Sequence, residues 1–375
     1  MENKTKKVYI GMSGGVDSSV SAYLLQQATP KNFEEFFGHS APEGFRGYEV
    51  TGVFIKVWQP DWIECTWKED RLDAMRVCAQ LDVPFVTLDL EHEYKVGVID
   101  YMISEYRTGR VPNPDVMCNR EVKFGGFYQW AMVEGADYIA TGHYTQNIYN
   151  EESKEYELRA SSDNDKDQGY FLWTITQDKL KNILFPIGNI KKPEVRRIAE
   201  DARLYTATKK DSQGLCFIGK LDIKDFLKEY IDVNRGDVLD SDGNIIGHHD
   251  GAVFFTIGER HGFTITKKTE NDGPLFVTSR DIDKNIITVS DISPSASHST
   301  LSLNITNTNF ISKVQNEFEC TAGIRYRGGH LECRVVLGEN NTATAHFEDG
   351  DNTATAGQSI VFYRGDTLLG GGVID

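Results

Sequence analysis

Gly11-Met-Ser-Gly-Gly-Val-Asp-Ser-Ser19 follows the apolar run Lys7-Val-Tyr-Ile-Gly11 and leads into a segment of helical spacing from Ser18 to Ala28. A strand that turns through glycines into a helix is the opening unit of a parallel α/β sheet. Gly14 and Gly15 let the backbone take positive φ and approach an anion closely. The loop N–H groups and the helix N-terminus then face a phosphate. Ser13, Ser18 and Ser19 add hydroxyl donors. Asp17 is a carboxylate in an anion site, which makes sense if Mg2+ bridges it to pyrophosphate. No Gly-Lys-Ser or Gly-Lys-Thr closes the loop, so this is not the Walker pattern.

Outward from the loop, Glu49–Val57, Phe85–Leu90 and Asp137–Thr141 read as further strands. Helical spacing covers 69–81, 94–107 and 121–134. Strands alternating with helices predict an α/β fold with a doubly wound parallel sheet. Residues 29–48 interrupt the rhythm and read as a surface insertion. From about residue 235 the pattern changes to short alternating runs between turn signals: Ser241-Asp-Gly-Asn244, Asn271-Asp-Gly-Pro274 and Glu348-Asp-Gly-Asp351. These predict a small central β-rich domain and a C-terminal β-barrel. The expected domains are 1–215, 216–283 and 284–375.

A chain of 375 residues exceeds one ordinary core. No stretch approaches the roughly 18 apolar residues of a membrane span. The polar start, Met1 to Lys7, runs straight into a strand, so no secretory signal and no membrane partner are expected. The expected compartment is the cytoplasm, where thiols stay reduced. A formal charge of −16 argues against uniform nucleic-acid binding but leaves room for a local basic face. Residues 191–210 are such a candidate: Lys191, Lys192, Arg196, Arg197, Arg203, Lys209 and Lys210 stand against Glu194, Glu200 and Asp201. A solvated helix face would have the same composition.

The cysteines are Cys65, Cys78, Cys118, Cys216, Cys320 and Cys333, and none forms a Cys-x-x-Cys pair. Zinc-ribbon spacing is absent. In Val111-Pro-Asn-Pro-Asp-Val-Met-Cys118 the two prolines hold a rigid loop before a helix. Cys118 is expected at the helix start, where the dipole lowers a thiol pKa. Asp115 is a candidate acid or base. Cys216 follows a polar, glycine-bearing loop in Asp211-Ser-Gln-Gly-Leu-Cys216. The other four read as small buried residues, Cys78 on an apolar helix face and Cys320 and Cys333 in strands.

The glycine-rich run resembles the loop of the PP-loop ATP pyrophosphatases, which cleave ATP to AMP and pyrophosphate and use AMP to activate an oxygen. Nearly the whole chain resembles the bacterial tRNA-specific 2-thiouridylases, which replace the 2-oxygen of the wobble uridine with sulfur. The motifs that carry this, in order, are GMSGGVDSS at 11–19, VPNPDVMCNREVKFG at 111–125, DYIATGHY at 137–144 and KDQGYFLW at 166–173. DSQGLCFIG at 211–219, TIGERHG at 256–262, IRYRGG at 324–329 and GQSIVFYRGDTLLGGGVI at 357–374 complete them.

The resemblance implies that Gly11, Met12, Ser13, Gly14, Gly15, Val16, Asp17 and Ser18, with Ile55 and Gly142, bind ATP. It implies that Asn113, Pro114 and Asp115 meet the target base, that Cys118 is the nucleophile and that Cys216 carries a persulfide. It also implies that His143, Lys166, Asp167, Gln168, Arg325, Tyr326 and Gln358 contact tRNA. Implied partners are tRNAs with a wobble uridine (lysine, glutamate and glutamine acceptors), a sulfur-relay protein or cysteine desulfurase, and a thiol reductant. The family usually has methionine where Ile55 stands and glutamine where Glu259 stands.

Oxide is a poor leaving group, and adenylation of uracil O2 turns it into AMP. The base must leave the anticodon stack to react. Sulfur then reaches C2 either directly from the Cys216 persulfide or as hydrosulfide released by Cys118. The second route leaves a Cys118–Cys216 disulfide for reduction by exchange. Both routes bring together sulfurs 98 residues apart in sequence (216 minus 118). Two other readings share parts of this evidence: an ATP pyrophosphatase that adenylates a small molecule for amination, and a non-catalytic RNA-binding module built on the β half.

Overall fold

A computed structural model describes residues 5–375 except 38, 42–43, 64–66, 212–222, 233, 267–272, 294–297 and 352. Cys65 and Cys216 lie outside the described residues.

Strand β1 (Lys6–Gly11) buries Val8 and Ile10 on one face, while Tyr9 packs edge-on against Trp130 on the other. A strand apolar on both faces belongs in the middle of a parallel sheet. It is flanked by β2 (Tyr48–Lys56) and β4 (Tyr138–Ala140), and β3 (Phe85–Asp89) lies beyond β2. The hairpin β5 (Gln146–Asn150) and β6 (Glu155–Arg159) leaves the sheet, and β7 (Ile183–Leu184) returns to its edge. The order is β3-β2-β1-β4-β7, with every pair parallel. Val8, Ile10, Val20, Leu24 and Val195 share one core cluster, and Val53, Val98, Val122, Phe127 and Ile139 another. Helices thus cover both faces, as the alternation predicts. The chain runs from β1 to β2 on one side, and β4 joins from the other. The open crevice of such a sheet lies at the carboxyl ends of these diverging strands.

Within the 29–48 insertion the described aromatic residues pack on one another. Phe33 packs against Phe37 and Phe45 at ring distances of 4.6 and 4.8 Å, and Phe45 meets Tyr48 at 4.8 Å.

The central sheet comprises β8 (Gly236–Leu239), β9 (Ile245–His249), β10 (Phe263–Ile265), β11 (Phe276–Asp281) and β12 (Ile286–Ser290), in the order β10-β9-β8-β12-β11. β12 pairs with both β8 and β11. This sheet therefore reaches Ser290, past residue 284, where the third domain is expected to begin. The turn between β11 and β12 has the composition of a domain linker but is a hairpin.

Six strands follow: β13 (His298–Phe310), β14 (Glu317–Gly323), β15 (Leu331–Leu337), β16 (Ala343–Asp351), β17 (Ser359–Arg364) and β18 (Thr367–Ile374). The first part of β13 pairs with β16 and its end with β18, which closes a barrel. β18 also takes β6 as a neighbour at Leu368↔Leu158, so the hairpin from the first domain continues the barrel wall. Cys320 and Cys333 face each other across β14 and β15, both buried. Among the described residues no helix is long and apolar enough to cross a membrane.

Candidate active site

The glycine-rich loop leaves β1 at Gly11 and enters the helix Val16–Gln27. Met12 and Val16 are buried in the core, so only their backbone can face a ligand. Gly14 takes φ +74°, and a Cβ there would lie 2.3 Å from the Asp70 carbonyl oxygen. Ser13 N–H donates to Ser18 Oγ at 3.2 Å, and Gly15 N–H donates to Ser13 Oγ at 3.3 Å. Ser18 and Ser19 hydroxyls both donate to the Gly15 carbonyl, at 3.1 and 2.8 Å. Gly15 is the N-cap and offers no side chain, which leaves first-turn N–H groups for an anion.

The next wall comes from the end of β4. A Cβ on Gly142 would lie 2.9 Å from both the Asp17 carbonyl carbon and the Ser18 nitrogen, so glycine alone lets this segment touch the loop. Ile55 lies two residues past Val53, the last β2 residue paired with β1, at the rim of the sheet. Tyr144 donates to Asp17 Oδ1 at 2.8 Å, and burial followed by the Asp17 charge pushes its phenol pKa up. Lys192 Nζ lies 2.7 and 2.9 Å from the two Asp17 oxygens.

Asp17 is therefore already neutralised by an ammonium. Among the described residues no group of three His, Cys, Asp or Glu side chains could hold a metal ion. The residues present do not fit a protein-built Mg2+ site at Asp17.

Lys192 also pairs with Asp211 Oδ1 at 2.8 Å, as do Lys166 with Oδ2 at 3.1 Å and Arg196. Burial opposes ionisation of Asp211, but Lys192 and Lys166 outweigh it and hold its pKa at about 2. In the sequence Lys192 stands only in a basic stretch. The structure turns it inward, 9% exposed, against the loop.

Cys118 lies on the long helical segment that begins at Pro114, capped by Asn113, whose Oδ1 accepts from Val116 N–H at 3.3 Å. Cys118 is the fifth residue of that segment and is buried, so it is not at the helix start as expected. The dipole effect falls off within the first turn. From Cys118 to Phe127 the winding widens to a π-helix, a feature frequent at functional sites. Asp115, three residues before Cys118, is half-buried on the same face. Asn119 donates to the Phe171 carbonyl at 3.0 Å, and its buried Oδ1 has no hydrogen-bond partner among the described residues. The helix meets the segment after β4 through Lys123, whose ammonium lies 3.4 Å from His143 Nε2, next to Gly142.

Residues 6–39 and 43–220 match the family described as tRNA methyl transferase HUP domain. Residues 224–291 match the tRNA methyl transferase PRC-barrel domain, and 300–374 the Aminomethyltransferase beta-barrel domain. The tRNA-specific 2-thiouridylase MnmA of Streptococcus agalactiae serotype Ia is 42% identical over 379 residues, covering 100% of this chain and 96% of its own length. That of Listeria monocytogenes serovar 1/2a is 42% identical over 380 residues, covering 100% and 95%. That of Pseudoalteromonas translucida is 40% identical over 380 residues, covering 100% and 98%. The chain belongs to the tRNA-specific 2-thiouridylase family.

For a 2-thiouridylase, the side chains expected to meet tRNA are placed unevenly. His143 is 7% exposed, between Phe124 and Phe185. Burial and then the Lys123 charge hold its pKa well below the ordinary 6.5. Since the Lys123 ammonium can only donate, Nε2 accepts, and Nδ1–H donates to Thr141 Oγ1 at 2.7 Å. Asp167 accepts from the Ser161 and Gly169 N–H groups at 2.7 and 3.2 Å, and burial raises its pKa. Gln168 Oε1 accepts from Tyr144 N–H at 3.0 Å.

On the barrel, Arg325 donates to the carbonyls of Ile257 and Thr353 at 2.9 and 3.0 Å. Gln358 donates to the Val111 carbonyl at 2.7 Å. Tyr326 packs on Phe171 with ring centroids 4.4 Å apart. Glu259 accepts from Thr256 N–H at 3.1 Å and pairs with Lys224. In the 2-thiouridylase fold seen here Arg325 and Tyr326 join the barrel to Ile257 and Phe171, and Gln358 ties it to Val111, where the Pro-Asn-Pro loop begins. Their sequence motifs show that they matter but not which partner they meet.

Proposed function

We propose that this chain is a tRNA-uridine 2-sulfurtransferase that spends ATP to exchange O2 of the wobble uridine for sulfur. The observation that carries the proposal is identity of about 42% to 2-thiouridylases along the full length of the chain. Methyl transfer, named in the domain-family descriptions, has no use for an ATP-splitting loop. Amination of a small molecule has no use for Cys118, Cys216 or two β domains.

In this reading Gly11 to Ser18 hold the phosphates, with the rim at Ile55 and Gly142 completing the ATP site. Asn113, Pro114 and Asp115 receive the flipped base. Uracil O2 attacks the α-phosphorus and displaces pyrophosphate. The terminal sulfur of the Cys216 persulfide attacks C2, and oxygen departs on AMP. Cys118 thiolate then attacks Cys216 Sγ, which frees the 2-thiouridine and leaves a Cys118–Cys216 disulfide. If Cys118 attacks first, hydrosulfide is released and reaches C2, with the same products. An external dithiol restores both cysteines. Mg2+ enters as the counter-ion of the triphosphate, not as a resident metal.

The tRNA set is that of lysine, glutamate and glutamine, and the sulfur comes from a relay protein or cysteine desulfurase. The compartment is the cytoplasm, where tRNA and reducing thiols meet. Lys166, Arg325 and Tyr326 contribute to the tRNA surface, Arg325 through the guanidinium N–H groups other than those of Nη2, which the Ile257 and Thr353 carbonyls take. The test is a Cys216→Ser variant given tRNA, ATP and a sulfur donor. No 2-thiouridine is expected, and undiminished 2-thiouridine would overturn the assignment.

A further inference from the structure

The glycine-rich loop brings no cation of its own. Ser13 to Ser19 contain no Lys, Arg or His. A triphosphate in a partly desolvated crevice needs positive charge close by. Residues 191–210, which a composition-based reading assigns to a solvated or tRNA-facing helix, supply it. Lys192 opens the helix Lys192–Asp201, and its ammonium bridges Asp17 of the loop to Asp211. Lys209 holds Asp70 and Asp73, both at 2.8 Å, and Asp70 is the residue against which Gly14 is packed. Both lysines therefore wait on carboxylates that border the loop.

We propose that Lys192 is the phosphate-binding cation of the ATP site, parked on Asp17 and Asp211 until triphosphate oxygens replace Asp211. An ammonium has three donors, so it can keep Asp17 while turning another N–H to phosphate. Asp211 is the partner that yields. It retains Lys166 and Arg196, so releasing Lys192 leaves no uncompensated carboxylate. Asp17 keeps the ammonium aimed at the loop, with Tyr144 fixing one of its oxygens. This rests on the reading that the loop binds ATP.

Equilibrium titration of the full chain with ATP and with inorganic pyrophosphate, without tRNA, tests it. Lys192→Gln weakens both ligands by about tenfold or more, and Lys192→Arg stays within about threefold of the parent. Asp211→Asn removes the competitor and tightens both ligands severalfold, even as it lowers the unfolding temperature. A lysine that only braces the fold predicts lower unfolding temperatures for both variants with no such opposite shifts. Parental affinity in Lys192→Gln would overturn the proposal. So would unchanged or weaker affinity in Asp211→Asn, which decides the matter alone if Lys192→Gln does not fold. A parent chain that binds neither ligand would instead overturn the ATP reading of the loop.

Discussion

The two sides of the active-site region use polar residues in opposite ways. Around the glycine-rich loop, charge faces charge: Asp17 with Lys192, Asp211 with Lys166, Lys192 and Arg196, and Asp70 with Lys209. Around the barrel, side chains donate to backbone carbonyls: Arg325 to Ile257 and Thr353, Gln358 to Val111, and Asn309 to Trp173 and Ile175. An ion pair can trade one partner for an incoming anion at modest net cost. A donor spent on a carbonyl in a domain junction has no such exchange, because withdrawing it leaves a polar group unsatisfied. The first arrangement suits a site that binds and releases charged ligands. The second sets the frame that holds the Val111–Cys118 loop in place.

The sharpest break between the two sides comes from the cysteine. Cys118→Ser drops thiolation to background while ATP affinity stays at the parental value, as read by nucleoside analysis and titration. Next in size is Gly142→Ala. Its Cβ would sit 2.9 Å from the Asp17 carbonyl carbon and Ser18 nitrogen, so the loop must move. ATP affinity falls by about tenfold or more, a cost of roughly 1.4 kcal/mol. Equal affinity in parent and variant would break the claim that this contact shapes the site.

On the other side, Gln358→Ala leaves the part-buried Val111 carbonyl without its donor and costs about 1–2 kcal/mol of stability. ATP affinity does not change. A variant with parental unfolding temperature but weakened tRNA binding would move Gln358 from frame to ligand surface.

The smallest effect is the pH response of His143. Burial and Lys123 keep it neutral in the fold, whereas in the unfolded chain it protonates near its ordinary value of 6.5. The unfolded state binds more protons below that value. The contribution of His143 is therefore complete above about 6.5 and is lost as pH falls below it. His143→Gln flattens this part of the stability–pH curve, and an unchanged slope would mean that His143 is solvated.

What the sequence made legible is what is local. The strand, glycines and helix of residues 7–28 determine one another over a few residues, and the α/β alternation continues the pattern. Cys78, Cys320 and Cys333 were readable as buried from their neighbours. What stayed hidden depends on distant partners. Lys192 meets Asp17 across 175 positions and Gln358 meets Val111 across 247, so composition could only call one basic and the other polar. The β5–β6 hairpin carries no sign that its partner is β18, because edge pairing leaves no mark on the alternation of either strand. The helix begins at Pro114, a turn before Cys118, because the Pro-Asn-Pro run marks where a helix can begin but not its first residue.

In the proposed reaction O2 of the wobble uridine is adenylated before sulfur arrives. The most direct test is to give the enzyme tRNA whose wobble uridine carries heavy oxygen at C2, with ATP and a sulfur donor, and to weigh the AMP. The AMP is expected to have gained the heavy oxygen on its phosphate, one atom for each 2-thiouridine formed. Unlabelled AMP accompanying full 2-thiouridine formation would contradict it.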